Sequence, residues 1–294
     1  MLRLKERVLQ SIFFIPALIL IIAFVLYPVF RTIGLSFVSK DGSFVFLKNY
    51  VEVLSRKEII DLEGFTRGFP LGALLHNLLW ILIHLPLTTL LGLFLAVLFR
   101  DLKYNFIFKS AIFLGMITPM VIGGVLLRFM FDKDVGILNT FLRVVGITPK
   151  TWTAYPETSL LSLIFGSIWL WTGFSMIIYS AGLETIPEEI YEAAKIDGAS
   201  SKDIFFKITL PLLKPITIVV VTMTLLWELK IFDIVYVATM GGPGGASNVL
   251  ALQMYFYAFR QFDFNSAAVV STFLMLLTLL VSIPMIINTQ GEKK

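Results

Sequence analysis

The sequence predicts an all-α membrane protein with six transmembrane helices. Of its 294 residues, 57% are hydrophobic and 15% are charged, whereas soluble domains carry about 25% charge. The mean hydropathy is +0.86. Six apolar runs reach the length of about 20 residues that a helix needs to cross the hydrocarbon core of a bilayer. A soluble core could not bury this much apolar surface, so lipid must replace water around the helices.

The predicted spans lie within a transmembrane domain of residues 11–288. In chain order they are residues 11–33, 72–99, 108–131, 160–182, 212–236 and 267–287. The first follows a basic start, residues 1–10, and is too long for a signal-peptide core, so we expect it to remain in the mature protein. Prolines inside or at the ends of these runs predict kinks, at Pro16, Pro28, Pro86, Pro119 and Pro284.

The distribution of basic residues predicts the orientation. Short loops rich in Lys and Arg stay in the cytoplasm. The two densest are the N-terminal stretch and the turn that contains Arg100, Lys103 and Lys109. Six spans then return the tail, residues 289–294, to the cytoplasm. Residues 34–71, 132–159 and 237–266 are expected outside, and residues 183–211 form one long inside loop.

Composition excludes several kinds of chemistry. The chain has no cysteine and two histidines, which rules out thiol catalysis and thiolate metal sites and leaves too few ligands for a histidine metal site. We therefore interpret His76 and His84 as packing or hydrogen-bonding residues. No GxxxxGK[ST] phosphate-binding loop occurs. We expect a protein that is not an enzyme and holds no cofactor of its own.

The inside loop is predicted to fold as a helix, a bend and a second helix. Thr185 and Glu188 have capping-box spacing, and Gly198 is placed to end the first helix. Ser200 can begin the second helix, which we expect to end before Pro211 because proline disfavours helix in the preceding residue. The first helix carries four acidic residues, which oppose an anionic lipid surface. A protein partner is the better interpretation, although acids at the helix start also stabilise its N-terminus.

Two groups of residues within the spans are candidates for a solute site. Ionisable residues in a membrane are functional candidates by default, and Glu228, Lys230 and Asp233 qualify. The spacing of Lys230 and Asp233 favours a structural ion pair, and Glu228 is left as either an interfacial or a functional residue. Trp169 and Trp171 fall near mid-depth, where packing and stacking against a sugar ring are both open interpretations.

The inside loop also contains a family signature, E-A-A, three residues, G, nine residues, I, one residue, L-P. It is filled by Glu192, Ala193, Ala194, Gly198, Ile208, Leu210 and Pro211. With this motif the chain resembles the permease subunits of binding-protein-dependent ABC importers. The likeness to sugar permeases of the maltose, multiple-sugar and glycerol-3-phosphate type rests on GILN (136–139), YEAAKIDGAS (191–200), MGGPGGAS (240–247) and FRQFDFNSAAVVS (259–271). The chain lacks the additional N-terminal spans and the large outer insertion of some maltose-type members.

The resemblance implies the type I, MetI-like permease architecture. It also implies separate sites for coupling to the ATPase and for binding the substrate. The seven signature residues would couple the loop to an ATPase subunit, with Glu192 pairing with a basic residue in its cleft. A sugar or polyol would bind at Ser167, Leu170, Trp171, Phe174, Thr224, Trp227 and Glu228. ATP and magnesium would be bound by the partner ATPase. The implied partners are a second permease in a heterodimer, two ATP-binding subunits, an extracytoplasmic sugar-binding protein and the lipid bilayer.

The implied location is the cell membrane, which the chain would cross several times with both termini in the cytoplasm. The main alternative is a secondary active transporter in which intramembrane acidic residues bind coupling ions. Such transporters generally carry internal repeats and acids at the midplane, whereas the acids here lie towards one end of one span. An intramembrane enzyme would need a constellation of catalytic side chains at helical spacing, which the sequence lacks.

Overall fold

The structure, a computed structural model, describes residues 13–291, with side chains described as far as Ile287. The basic start and the last three residues, which carry part of the orientation argument, lie outside this range. In chain order the helices that we use are α1 (Phe13–Ser36), α2 (Lys48–Leu54), α3 (Gly64–Arg67), α4 (Ala73–Leu98), α5 (Asn105–Ile117), α6 (Met120–Met130), α7 (Ile137–Val144), α8 (Pro156–Glu184), α9 (Glu188–Ile196), α10 (Ser201–Leu212), α11 (Lys214–Leu229), α12 (Asp233–Ala238), α13 (Leu250–Tyr255) and α14 (Phe264–Gly291).

The predicted all-α membrane fold is confirmed. Within the described residues, α1, α4, α8 and α14 are each long and apolar enough to cross a membrane. Two bent pairs, α5 with α6 and α10 with α11, pass the same test together. Counting each bent pair as one span gives the six spans that the sequence predicts. No β-strand occurs in this part of the chain, apart from one isolated bridge between Val38 and Phe44.

The third span is not the single helix that the apolar run suggested. α5 ends at Ile117, and α6 begins at Met120 after a turn of 99°. Thr118 has an extended backbone with ψ of 123°, the conformation that a following proline imposes, and Pro119 has no N–H to continue the helix. The expected proline kink is therefore a full break, and it opens space beside α8.

The fifth span also differs from its prediction of residues 212–236. α10 continues through Pro211, so the expectation that it ends before this proline is wrong. A π-helical turn at Phe205–Thr209 precedes the proline, and the Thr209 hydroxyl donates to the Ile204 carbonyl at 3.3 Å. The chain then bends by 65° into α11. α11 stops at Leu229, and α12 is a separate helix.

The chain divides into two compact units, and the first contains residues up to 56 together with 254–275. In this unit the FDFNSA segment begins α14. Asp263 Oδ1 accepts from the Ser266 amide at 3.2 Å, and Lys40 lies 3.0 Å from the same carboxylate. The Asn265 side chain donates to the carbonyls of Leu35 and Val38. This part of the sugar-permease likeness therefore consists of structural caps and connections.

The second unit contains residues 57–253 and the chain from residue 276, and its centre is the packing of α4 against α8. A Cβ atom added to Gly92 would lie 2.3 Å from Cβ of Ser175, so the two backbones approach too closely for any other residue. Towards the inside loop, an apolar cluster continues this packing. Its members include Leu93 on α4, Tyr179 and Leu183 on α8, and Tyr191 on α9. The loop is thus attached to the central helix pair.

The GILN motif folds around its asparagine. Asn139 donates to the carbonyls of Asp132 at 2.7 Å and Lys150 at 2.9 Å. The indole N–H of Trp152 donates to Asn139 Oδ1 at 2.9 Å. One buried side chain therefore closes the connection between α6 and α8, and its role is structural.

Candidate substrate site and coupling loop

A cavity of about 240 Å³ lies where the break in the third span meets α8 and the end of α11. Its walls are mainly apolar and aromatic, with one cation and one anion at the edge. They are formed by Met116, Met120, Leu170, Trp171, Trp227, Lys230, Ile231, Phe232, Asp233 and Ile234. An aromatic cavity with a few polar groups is the usual character of a small-molecule site.

Three of the seven residues predicted for the substrate site line this cavity. Leu170 and Trp171 on α8 and Trp227 on α11 line it. Phe174 packs edge-on against Trp227 with ring centroids 4.7 Å apart. The remaining three predicted residues, Ser167, Thr224 and Glu228, are fully buried on the same two helices and do not line the cavity. The structure therefore divides the set into an aromatic wall and a buried polar group.

Glu228 is held by a residue that the sequence did not connect with it. Its carboxylate is 0% exposed, so the interfacial alternative is wrong. Oε1 lies 2.6 Å from Nδ1 of His84 on α4. The hydrogen-bonding interpretation of His84 is confirmed. Ionisable residues inside spans each require a partner, but nothing in the sequence indicated that these two residues meet.

Lys230 and Asp233 do not form the predicted ion pair. The structure records no ion pair between them, although both are described and both are exposed at the cavity edge. The three-residue spacing brings side chains together only within a helix, and α11 ends at Leu229 before Lys230. Both charges remain available to the cavity.

Two turns before His84 on the same helix, two adjacent residues connect α4 to the rest of the unit. The His76 ring donates from Nδ1 to the Asn248 carbonyl at 2.7 Å. The Asn77 amide donates to the Glu228 carbonyl at 3.0 Å, and its oxygen accepts from the Leu250 amide at 2.8 Å. The structural interpretation of His76 is confirmed, and these bonds fix the end of α11 beside the cavity.

The inside loop folds as the predicted helix, bend and helix. Gly198 has φ of +78°, which favours glycine, and α9 ends just before it. Ser200 begins α10 by accepting from the Asp203 amide at 3.2 Å. The predicted capping box is absent in this described segment. The Thr185 hydroxyl instead donates back to Gly182 at the end of α8, and Pro187 precedes α9.

The signature residues of α9 separate into an inner and an outer face. Tyr191 and Ala194 are buried against the bundle. Glu192 and Ala193 are exposed, and Ile196 beside them is 86% exposed. Ala193, Glu192 and the solvent-exposed Ile196 together form a surface suited to a protein partner. The other signature residues lie on α10, where Ile208 and Leu210 are half-buried and Pro211 is exposed.

Residues 88–289 match the family described as binding-protein-dependent transport system inner membrane component. The match begins within α4, ends within α14 and includes the loop just described. The chain belongs to this family. It is a membrane component of an ABC transport system, and the permeases to which it is related are transporter subunits rather than enzymes.

Individual relatives are similar in sequence to this chain over almost its whole length. A probable ABC transporter permease of Pyrococcus horikoshii is 55% identical over 94% of this chain and 96% of its own length. The trehalose/maltose transport system permease of Thermococcus litoralis is 31% identical over 94% of this chain and 92% of its own length. In structure, a chain of a bacterial alginate ABC transporter in complex with its periplasmic protein gives a TM-score of 0.80 at 20% identity, covering 96% of this chain and 94% of that one. This permease therefore shares the fold of ABC importer permeases.

Proposed function

We propose that this permease forms half of the translocation pathway of an ATP-driven carbohydrate importer. The observation that carries the proposal is the connection of the cavity to the loop. Two helices that line the cavity, α8 and α11, lead directly into the two sides of the inside loop that bears Glu192. Relatives named for trehalose/maltose, alpha-glucoside and lactose transport support a carbohydrate solute.

The cavity provides the groups that a sugar needs. Trp171 and Trp227 offer aromatic faces that stack against the apolar face of a sugar ring, and Leu170 completes this wall. Thr224 and Glu228 lie behind it as hydrogen-bonding groups. Each stacking or polar contact contributes on the order of 1 kcal/mol. Affinity would therefore arise from several modest contacts, which suits a solute that must be released on the other side.

The loop would carry the motion that drives alternating access. A partner ATPase binds ATP and magnesium and closes, and its cleft holds the outer face of α9, where Glu192 pairs with a basic residue. Because α9 is only three residues from the end of α8, and α10 bends into α11, displacement of the loop moves both walls of the cavity. The cavity would then open to alternate sides of the membrane.

The proposed assembly contains this chain, a second and different permease, two ATP-binding subunits and an extracytoplasmic sugar-binding protein. It resides in the cell membrane with both termini of this chain in the cytoplasm. Coupling to ATP is the feature that separates this proposal from a secondary active transporter, in which the intramembrane acid would bind a coupling ion.

The test is reconstitution of the complex that co-purifies with a tag on this chain. We expect the purified complex to contain an ATPase and a second permease. In proteoliposomes, its ATP hydrolysis should rise with binding protein plus one member of a panel of neutral sugars and polyols, trehalose and maltose included. A complex without an ATPase, or one stimulated only by amino acids, peptides or metal ions, would overturn the proposal.

A further inference from the structure

The short helix α7 carries an exposed apolar stripe. Ile137, Phe141 and Val144 follow one another at helical spacing and are 59%, 67% and 84% exposed. At about 100° per residue, Arg143 lies roughly opposite Phe141 on the helix, and it is exposed as well. Asn139, on a third side, is buried and holds the helix to its neighbours. An exposed apolar stripe of this kind marks a contact surface.

Beside this stripe, a groove of about 530 Å³ separates α7 from the adjoining ends of α6 and α8. Its walls are almost entirely apolar. They include Phe131 of α6, Ile137 and Phe141 of α7, and Leu161 and Phe165 of α8. Ile137 and Phe141 belong both to the groove and to the exposed stripe. The groove is therefore open along one side to the surroundings of the helix bundle.

Two observations place α7 at the level of the membrane interface. It lies in the connection between α6, which ends the third span, and α8, which begins the fourth. In this connection Lys150 Nζ lies 4.7 Å from the ring centroid of Trp152 and 5.0 Å from that of Tyr155. Such aromatic residues concentrate where a membrane protein meets the lipid headgroups. Asn139 connects α7 to this group through the Lys150 carbonyl and the Trp152 indole, so the helix shares its depth.

The groove and the cavity described above lie on different sides of α8. Leu161 lines the groove and Leu170 lines the cavity. The two leucines are separated by about two and a half helical turns, which places them on opposite sides of the helix. Phe165, one turn after Leu161, is 53% exposed on the groove side. An apolar, exposed side of a membrane helix faces acyl chains, which are as apolar as leucine.

We propose that this groove binds an acyl chain of a bilayer lipid, and that α7 lies in the headgroup layer of the leaflet away from the inside loop. A helix with an apolar stripe on one side and a cation on the other suits this position. Ile137, Phe141 and Val144 would lie among the acyl chains, and Arg143 would face the headgroup phosphates. The site depends neither on the solute that is carried nor on coupling to an ATPase.

Nitroxide labels test the position of α7 in the complete complex, with cysteine-free partner subunits and bilayers of phosphatidylcholine and phosphatidylglycerol. The chain has no native thiol, so Phe141→Cys and Arg143→Cys are matched probes on opposite sides of one helix. The label at position 141 should collide several-fold more with oxygen, which dissolves among acyl chains, than with a water-soluble nickel chelate. The label at position 143 should show the reverse. Free access of the chelate to position 141 would place the stripe in water, and access of neither reagent would show that a protein subunit covers it. Either result overturns the proposal.

A phosphatidylcholine with a diazirine on its acyl chain tests the groove itself. After a detergent wash, the wild-type complex should keep crosslinks at Leu161 and Phe165 and lose those at Val125, which is exposed on α6 outside the groove. Leu161→Trp fills the groove and should decrease its crosslinks several-fold, whereas the control Val125→Trp should not. Equal loss of the label from the groove and from Val125 would reduce the groove to ordinary lipid-exposed surface and overturn the site. This wild-type comparison decides the question even if Leu161→Trp does not assemble.

Discussion

Arg100 lies over the ring of Tyr191, with its guanidinium carbon 4.4 Å from the ring centroid. Arg100 belongs to the turn between α4 and α5, and Tyr191 is the residue before the exposed Glu192 on α9. Tyr191 is only 7% exposed, and its hydroxyl oxygen lies 3.4 Å from the Thr209 hydroxyl. One aromatic side chain therefore connects α9 to the turn between α4 and α5 and to α10.

Removal of this cation–π contact should weaken coupling without preventing assembly. Arg100→Ala loses on the order of 1 kcal/mol at a partly exposed site, so we expect a several-fold decrease in substrate-stimulated ATP hydrolysis. Lys103→Ala is the matched control, because Lys103 lies over Tyr104 in the same turn, 5.3 Å from its centroid, rather than over Tyr191. Equal stimulation in both variants would show that the Arg100 contact has no part in coupling.

The bend of the inside loop gives a second prediction. Gly198→Val places a β-branched residue at φ of +78°, at a cost of about 1 to 3 kcal/mol, and misdirects α10. We expect the complex to lose stimulated ATP hydrolysis. Gly146 has the same φ and equally open surroundings but lies between α7 and α8. Gly146→Val should therefore keep stimulation, and its loss in both variants would attribute the defect to backbone strain alone.

The charge of the outer face gives a third prediction. Glu192→Lys reverses the charge that we propose is offered to the ATPase cleft, so attraction becomes repulsion. The variant should insert normally and retain less ATPase subunit in a pull-down than the wild type. Full retention and full stimulation by binding protein plus sugar would remove Glu192 from the proposed contact.

The two tryptophans on α8 should behave differently. Trp171→Ala opens the cavity wall and should raise KM for sugar uptake several-fold, since an aromatic contact is worth about 1 kcal/mol. Trp169 is two residues away, packs against Gly115 and does not line the cavity. Trp169→Ala should lower the thermal stability of the complex and leave KM near its wild-type value. The reverse pattern would return Trp171 to a packing role.

The absence of cysteine makes the proposed orientation directly measurable. Single cysteines at Ser200 and Ser43, both exposed, would each be the only thiol in the chain. An impermeant maleimide should label Ser200→Cys only from the cytoplasmic side and Ser43→Cys only from outside. Labelling of both positions from one side would contradict the six-span topology.

Hydropathy and local chemistry were enough to predict much of this fold. The apolar runs predicted the positions of the spans. Gly198 and Ser200 predicted where the first loop helix ends and the second begins, because helix capping depends only on residues close in sequence. The break at Pro119 was underestimated because its angle depends on the packing of α6 beyond it. The end of α11 at Leu229 had no local signal.

The buried polar pair was the feature of the site that the sequence could not supply. His84 and Glu228 are 144 residues apart, and only the packing of α4 against α11 brings them together. Likewise, hydropathy could not separate the inner face of α9 from its outer face, because both carry an alanine of the signature. Ala194 is buried in the bundle, and Ala193 faces outwards.

The most direct test of the account is the energy source of uptake by the complete complex. Proteoliposomes should take up a neutral sugar when they hold ATP at the ATPase side and binding protein at the other, and ionophores that abolish proton and sodium gradients should leave this uptake unchanged. Glu192→Lys in the same preparation should abolish it. Uptake by this chain without ATPase subunits, driven by an ion gradient and stopped by ionophores, would contradict the account.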